Sequence, residues 1–255
     1  MQAGKYGKDL NKKSFSSKYW EKYFDKRATN SLLFQSHSIN GFIDKKLVFL
    51  IRKTIRNILK SKGFENIFDC GCGDGSVSFT LINSNTKVYG IDISKQMCIK
   101  ARSKGIKAFK FDMYKLTKKS FEDLKIVKNP NDKQNSCLLF CESLTCTRNP
   151  INILKGVCKR NKEINSVLLS FPNEKSILRK IIKLVSNNKL NYFGLEKLNI
   201  ATTKLSFYKK DSYYILGIPF LYYFAIRIKE NESNKLTQKL LSFLGLNLII
   251  LYQKS

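Results

Sequence analysis

The sequence predicts an α/β protein: a doubly wound, mostly parallel sheet with an antiparallel last strand, preceded by N-terminal helices. Three observations lead there. Short apolar runs near 65–70, 86–91, 106–111, 137–141 and 166–171 alternate with stretches of helical length, the pattern of strand–helix–strand units. The first run leads through Asp69 into glycines at alternate positions, Gly71, Gly73 and Gly75. The second and third runs end in carboxylates of their own, Asp92 and Asp112. In an open parallel sheet the C-terminal ends of the strands form the edge where ligands sit.

Along the chain, the first element is aromatic. Lys18-Tyr-Trp-Glu-Lys-Tyr-Phe24 is read either as a lid formed by Tyr19, Trp20, Tyr23 and Phe24 or as simple packing. Residues 44–62 follow, with apolar side chains at 47, 51, 55 and 58, a helical stripe suited to lie on the sheet. Helices are expected to begin near 76, 95, 118, 149 and 173, the fourth with Asn149 as cap and Pro150 in its first turn. The segment 188–211 has no clear period and stays unassigned. The uncharged run 212–226 is too short to span a membrane and contains Pro219. It is expected as a buried helix or pocket wall, with an interfacial element beside Arg227 and Lys229 as the alternative. Gly245-Leu-Asn-Leu-Ile-Ile-Leu-Tyr252 supplies the closing strand. With 255 residues and 43% hydrophobic content the chain can bury one substantial core. The expected division is an N-terminal helical extension or lid at 1–62 and a main domain at 63–255, with a substrate-side insertion about 188–235.

Strand, glycine loop and helix together present bare backbone N–H groups to a nucleotide-like ligand, and a Cβ would obstruct both the tight turn and the approach. An ordinary strand-to-helix loop is the competing explanation. A dinucleotide site would place its third glycine at position 76, which is Ser76 here, with glycine one residue earlier. Asp92 is an acceptor-only group at the end of the second strand, suited to take hydrogen bonds from both ribose hydroxyls. A single aspartate at a strand end is usually a helix cap; three in succession around a glycine loop point to a ligand-binding rim.

These residues resemble the class I S-adenosylmethionine-dependent methyltransferases, with a Rossmann-like sheet, over roughly residues 64–172. Asp69-Cys-Gly-Cys-Gly-Asp-Gly75 is similar to the family's D-x-G-x-G-x-G loop, and Ile91-Asp-Ile-Ser-Lys-Gln-Met97 with Ala101-Arg102 to its ribose strand and following helix. Phe111-Asp112-Met113 matches the adenine-side motif. Cys141-Glu-Ser-Leu-Thr-Cys-Thr-Arg-Asn-Pro150 lines up with a segment of the small-molecule O-methyltransferase-like branch, except that Cys146 replaces a histidine and Asn149 an aspartate. Ser170-Phe-Pro-Asn173 resembles the fifth strand and its exit. The resemblance implies S-adenosyl-L-methionine as cofactor, held by Asp69, Gly71, Cys72, Gly73, Gly75, Asp92, Ile93, Asp112, Met113 and Cys141. It implies methyl transfer to a small-molecule or lipid-linked acceptor, with oxygen as the expected acceptor atom. Glu142 is the best-placed carboxylate for a base; its alternative role is to fix the loop or the methionine end of the cofactor. The fourth strand does not run into the Asn/Asp-Pro-Pro-aromatic segment that grips nucleobase amines.

Charge is the second unusual property. Lys and Arg number 47 against 19 Asp and Glu, a formal net charge of +28. Such an excess attracts polyanions: nucleic acid, an anionic membrane surface or acidic saccharides. The lysines are scattered, however, and lysine outnumbers arginine as in a compositional drift toward AT-rich codons. An RNA-directed methyltransferase is therefore one alternative function, and a cofactor-binding scaffold without turnover, suggested by Cys146 and Asn149, is another. The seven cysteines lack the paired spacing of a metal site, and His37, the sole histidine, lies outside the motifs. With no apolar leader in Met1–Asp9 and no spanning segment, the expectation is a cytoplasmic protein, peripherally attached at most.

Overall fold

The computed structural model describes residues 16–29, 45–127, 135–177, 180, 194–217, 225–230 and 234–254. Two helices, α1 (Ser17–Thr29) and α2 (Lys45–Lys62), precede the first strand β1 (Asn66–Cys70). Next come β2 (Lys87–Asp92), α3 (Lys95–Ser103), β3 (Lys107–Lys110), the short α4 (Met113–Leu116), β4 (Ser136–Cys141), α5 (Pro150–Arg160) and β5 (Ser166–Pro172). The C-terminal part adds α6 (Leu195–Thr203), β6 (Phe207–Gly217), β7 (Ala225–Lys229), α7 (Lys235–Leu244) and β8 (Asn247–Lys254). Among the described residues eight strands form one sheet in the order β3-β2-β1-β4-β5-β8-β6-β7. The first five pair in parallel, and β8 runs antiparallel between β5 and β6. The doubly wound sheet and its antiparallel closing strand are those the sequence pattern predicts.

Both faces of the sheet are covered, so its strands are apolar on both sides. On one face the stripe of α2, Leu47, Ile51, Ile55 and Ile58, packs with Ile67, Leu139, Leu168 and Ile249. On the other, Ile153, Leu154 and Val157 of α5 and Leu198 of α6 meet Phe68, Phe140 and Leu169. Each large aliphatic side chain of the α2 stripe removed from water contributes about 2 kcal/mol, which docks an N-terminal helix firmly onto the sheet.

Three expectations change. A helix does not start at 76; the chain makes turns and a three-residue 3-10 segment, Phe79–Leu81. Ser76, Ser78, Thr80 and the β-branched Val77 and Ile82 are weak helix formers, and the Ser78 hydroxyl is drawn to Asp69 at 2.8 Å. Near 118 the helix is replaced by the earlier α4, because Asp112 caps Met113–Leu116 through the Tyr114 amide at 2.9 Å. Ser120 and Asp123 then close a local turn on each other's amides. The uncharged run from 212 is strand, not helix, as far as Gly217. Tyr214 faces one core and Ile215 the other, so burial on both sides erased the alternation that would have marked a strand. The helix placed near 173 and the rest of the 212–226 run lie largely outside the described residues, as does His37.

Candidate functional site

The cleft forms at the C-terminal ends of β1, β2 and β4, beneath α1 and α2. Its lining takes in Asp69, Gly71, Cys72, Gly73, Asp92, Ile93, Asp112, Met113, Cys141 and Glu142. Thus nine of the ten sequence-derived cofactor candidates, and the candidate base, face one cavity. Gly75 stands apart, turned toward Ala101 and Ile106.

The glycine loop is held onto β2 by backbone bonds from the Gly71 and Cys72 amides to the Ile91 carbonyl, at 2.7 and 3.1 Å. Gly71 has φ +86, and a Cβ there would lie 2.3 Å from Ser143 Cβ, so the close passage of the two loops admits only glycine. Gly73 has φ +53 and nothing within 4 Å of the position a Cβ would take. A side chain there would therefore project into the space the loop encloses.

Asp92 is 8% exposed, and each of its oxygens is set by a backbone amide: Oδ2 accepts from Gly73 and Oδ1 from Ser94, both at 2.9 Å. Burial pushes its carboxyl up to about 6, with the Ser94 and Gly73 amides pulling it back and Asp25 raising it further. Asp69 is 1% exposed. Its Oδ2 takes the Ser78 hydroxyl, while Oδ1 is buried without a hydrogen-bond partner among the described residues. Burial pushes this carboxyl up to about 7; the Ser78 bond opposes the shift, and Asp92 and Asp74 add to it. A buried carboxylate oxygen without a donor is costly unless a ligand supplies one. Burial also acts on Asp74, but the Lys104 ammonium and Ser76 prevail and hold it below its ordinary value.

Asp112 serves as the cap of α4 while lining the cleft. Glu142 has φ +57, and its Oε1 accepts from Asn247 Nδ2 at 2.7 Å. Cys146 lines the cleft too, its thiol pushed up to about 12 by burial, so at neutral pH it is no base. Of the aromatic quartet, Trp20 and Phe24 line the cleft and Tyr19 and Tyr23 do not.

Several lining or supporting residues escaped the sequence reading. Arg27 and Arg52 look into the cleft from α1 and α2, and Tyr114 joins them while its hydroxyl accepts from the Arg148 amide at 2.8 Å. Asp25 ties α1 down: its Oδ1 accepts from Ser94 Oγ at 2.6 Å and from the Gln96 amide at 3.1 Å. Glu21 adds an ion pair to Lys110 at 2.5 Å. None of these lies in a motif; their only signal was the three- and four-residue spacing of Trp20, Phe24 and Arg27 along one helix.

A strand-end carboxylate rim, a glycine loop and a helical cover over one cleft define a nucleoside-binding α/β enzyme. A methyltransferase domain family matches residues 60–217, well over half of the chain, and the chain belongs to it. It is an S-adenosylmethionine-dependent methyltransferase. Among curated proteins no sequence matches it. Solved structures share its fold. Magnesium protoporphyrin IX methyltransferase from Synechocystis PCC 6803, with bound SAH, superposes with TM-score 0.60 at 13% identity, over 94% of this chain and 99% of that one. A SAM-dependent methyltransferase of Thermotoga maritima, described as a possible histamine N-methyltransferase, gives 0.55 at 16% identity, over 81% and 92%. One from Archaeoglobus fulgidus gives 0.54 at 17%, over 83% and 100%. At these identities the likeness is one of fold.

The cofactor and the cleft suit each other. The orphaned Asp69 oxygen asks for a donor, the open face of Gly73 leaves room beside bare amides, and Asp92 has free lone pairs on oxygens already fixed in place. No described helix is long and apolar enough to cross a membrane.

Proposed function

We propose that the protein transfers a methyl group to the oxygen of a small-molecule or lipid-linked acceptor bound in the cleft under α1. The observation that carries this reading is the enclosure of the strand-end carboxylates by a helix latched through Asp25. In this reading Asp92 accepts from the ribose hydroxyls, and its pinned oxygens are oriented before the ligand arrives. Asp69 Oδ1 accepts from the ammonium of the amino-acid tail, whose path runs past Gly71 and Gly73. Cys72, Ile93, Asp112, Met113 and Cys141 complete the walls.

S-adenosylmethionine supplies a methyl group already activated on a sulfonium. The chain's own task is then alignment and exclusion of water, worth up to about 7–11 kcal/mol for well-oriented reactants. Trp20 and Phe24, stacked 5.6 Å apart, close the outer side. Glu142 is the carboxylate at the end of β4 that takes the proton of a hydroxyl acceptor, and Asn247 orients it. A lipid-linked acceptor is supported by an apolar stripe on α7, where Leu236, Leu240, Phe243 and Leu244 are exposed. That helix ends beside the same sheet edge, since Asn173, one residue beyond β5, binds the carbonyls of Ser242 and Gly245, both at 2.8 Å.

The test is incorporation of labelled methyl into extracted metabolites, lipids and RNA, fractionated separately, by wild type and Glu142→Gln. Label in the metabolite or lipid fraction, slowed at least tenfold in the variant with cofactor affinity unchanged, is the expected result. Label confined to RNA would refute the acceptor class, and equal rates would remove Glu142 as the base.

A further inference from the structure

The two sides of the cleft differ in electrical character. The floor, at the strand ends and the glycine loop, is lined by Asp69, Asp74, Asp92, Asp112 and Glu142. The residues of α1 and α2 that line the cleft include Arg27 and Arg52 and no carboxylate, Glu21 and Asp25 of α1 being turned to Lys110 and to Ser94 and Gln96. On α1 the lining residues are Ser17, Trp20, Phe24 and Arg27, spaced by three and four and so aligned on one face. From Trp20 to Arg27 this face rises about 10 Å, seven residues at about 1.5 Å each. It begins with two stacked rings and ends in a guanidinium.

Two polar features of this wall have no part in holding the cofactor as described above. Among the described residues the Trp20 Nε1–H is buried without a hydrogen-bond partner, although its residue lines the cleft; buried donors in folded proteins rarely stay unmatched. Arg27 lines the same cavity as Cys146, in the turn that follows β4 and Glu142, and its Nη1 donates to Tyr23 Oη at 3.5 Å. An acidic floor suits a cationic cofactor. Cations and an unmatched donor on the facing wall suit an anion, because complementary charge both attracts the right ligand and rejects the wrong one.

We propose that the methyl acceptor is an amphipathic anion, its apolar body lying along Trp20 and Phe24 and its carboxylate or phosphate met by Arg27. Arg52 adds positive potential to the same wall. The inference rests on the reading of this cleft as the joint site of cofactor and acceptor. It narrows the acceptor from any small or lipid-linked molecule to one bearing negative charge at the end of an apolar chain or ring system.

Trp20 is the single tryptophan of the chain, so its emission reports occupancy of the wall directly. Calorimetry first measures adenosylhomocysteine binding; no binding by the wild type would sink the cofactor reading itself, before any acceptor probe is added. The loaded protein is then titrated with decanoate, decyl phosphate and decanol while Trp20 fluorescence is followed. Both anions are expected to bind at least tenfold more tightly than the alcohol and to shift the emission, and the tighter of the two identifies the head group. Arg27→Gln should abolish the tenfold preference, Arg27→Lys should retain most of it, and adenosylhomocysteine affinity should stay within twofold in both. Equal binding of the alcohol, or a preference that survives Arg27→Gln, would overturn the proposal. So would a parallel loss of adenosylhomocysteine affinity in Arg27→Gln, which would assign the arginine to the cofactor.

Discussion

Asp92→Asn is the substitution on which the cofactor geometry stands or falls. The change is nearly isosteric, but one carboxylate oxygen becomes an NH2 group facing a backbone N–H that previously had an acceptor, that of Gly73 or of Ser94. Leaving that amide unmatched costs about 1–3 kcal/mol, part of it already present in the free protein. The ligand loses more: two hydrogen bonds to a charged acceptor, each about 1.5–3 kcal/mol, become at best one bond to a neutral carbonyl. A net loss of about 3 kcal/mol corresponds to roughly a hundredfold in affinity, at about 1.4 kcal/mol per decade. Protonation acts in the same direction. Burial holds the Asp92 carboxyl at about 6 and that of Asp69 at about 7, so wild-type affinity for adenosylhomocysteine should fall in two steps as pH drops through 7 and then 6. In the asparagine variant the step near 6 should be absent, leaving only the one that Asp69 sets. Calorimetric titration of both proteins at pH 5, 6 and 8 decides the matter. A variant within twofold of wild type at pH 8, or one with the same acid limb, would refute the ribose assignment.

Asp25→Ala removes the acceptor of both the Ser94 hydroxyl and the Gln96 amide. At about 1 kcal/mol per bond, it should speed adenosylhomocysteine release roughly 10- to 30-fold in stopped-flow fluorescence; an unchanged rate would mean that α1 does not gate the cleft. Gly73→Val places a β-branched residue at φ +53, a strain of about 1–2 kcal/mol, and fills the open space beside the loop. Melting should shift by only a few degrees while cofactor binding weakens more than a hundredfold, and a crystal of the variant with bound cofactor would contradict the loop assignment. Asp69 and Asp92 keep protons in the folded state up to about pH 7 and about pH 6, whereas the unfolded chain releases them near 3.9. Folded protein thus binds more protons between about pH 4 and 7, and its stability should decline as pH rises through that window. Scanning calorimetry of cofactor-free protein should show this decline flattened in Asp69→Asn/Asp92→Asn; an unaltered slope would show that the two carboxyls do not titrate as described.

What was legible in the sequence is what local chemistry dictates. The glycine loop, the three strand-end aspartates and the α2 stripe have fixed spacings, and those spacings survive into the sheet order and the cleft. The β6 strand was hidden for a physical reason. Tyr214 and Ile215 are both buried, on opposite faces, so the run reads as uniformly apolar and its period vanishes. The failed helix at 76 shows the reverse case, where a tertiary bond decides: Ser78 is needed by Asp69, and a helix through Ser76–Ile82 would have to reorient it. Asp25, Arg27 and Arg52 were invisible because their roles arise from where α1 and α2 dock, about seventy residues in sequence from Ser94 in the case of Asp25.

Three departures from ordinary folding rules face the cleft itself. Four non-glycine residues have positive φ among the described residues, Lys125, Asn135, Glu142 and Ser206, and Glu142 alone of them lines the cleft. Holding a glutamate in the left-handed region costs about 1 kcal/mol or more. Here it is fixed by the Glu142 amide bonding Ser170 and by the Asn247 contact to its carboxylate. Within the same cavity lie the unmatched Asp69 oxygen and the Trp20 donor, while Gly71 threads a gap no other residue fits. Thr54, Asn66, Thr80 and Ser170 also bury an unmatched polar atom among the described residues, away from the cleft, but only those that face the cavity are placed where a ligand can complete them. An acceptor and a donor left open on opposite walls mark the two ends of what that ligand pair must span.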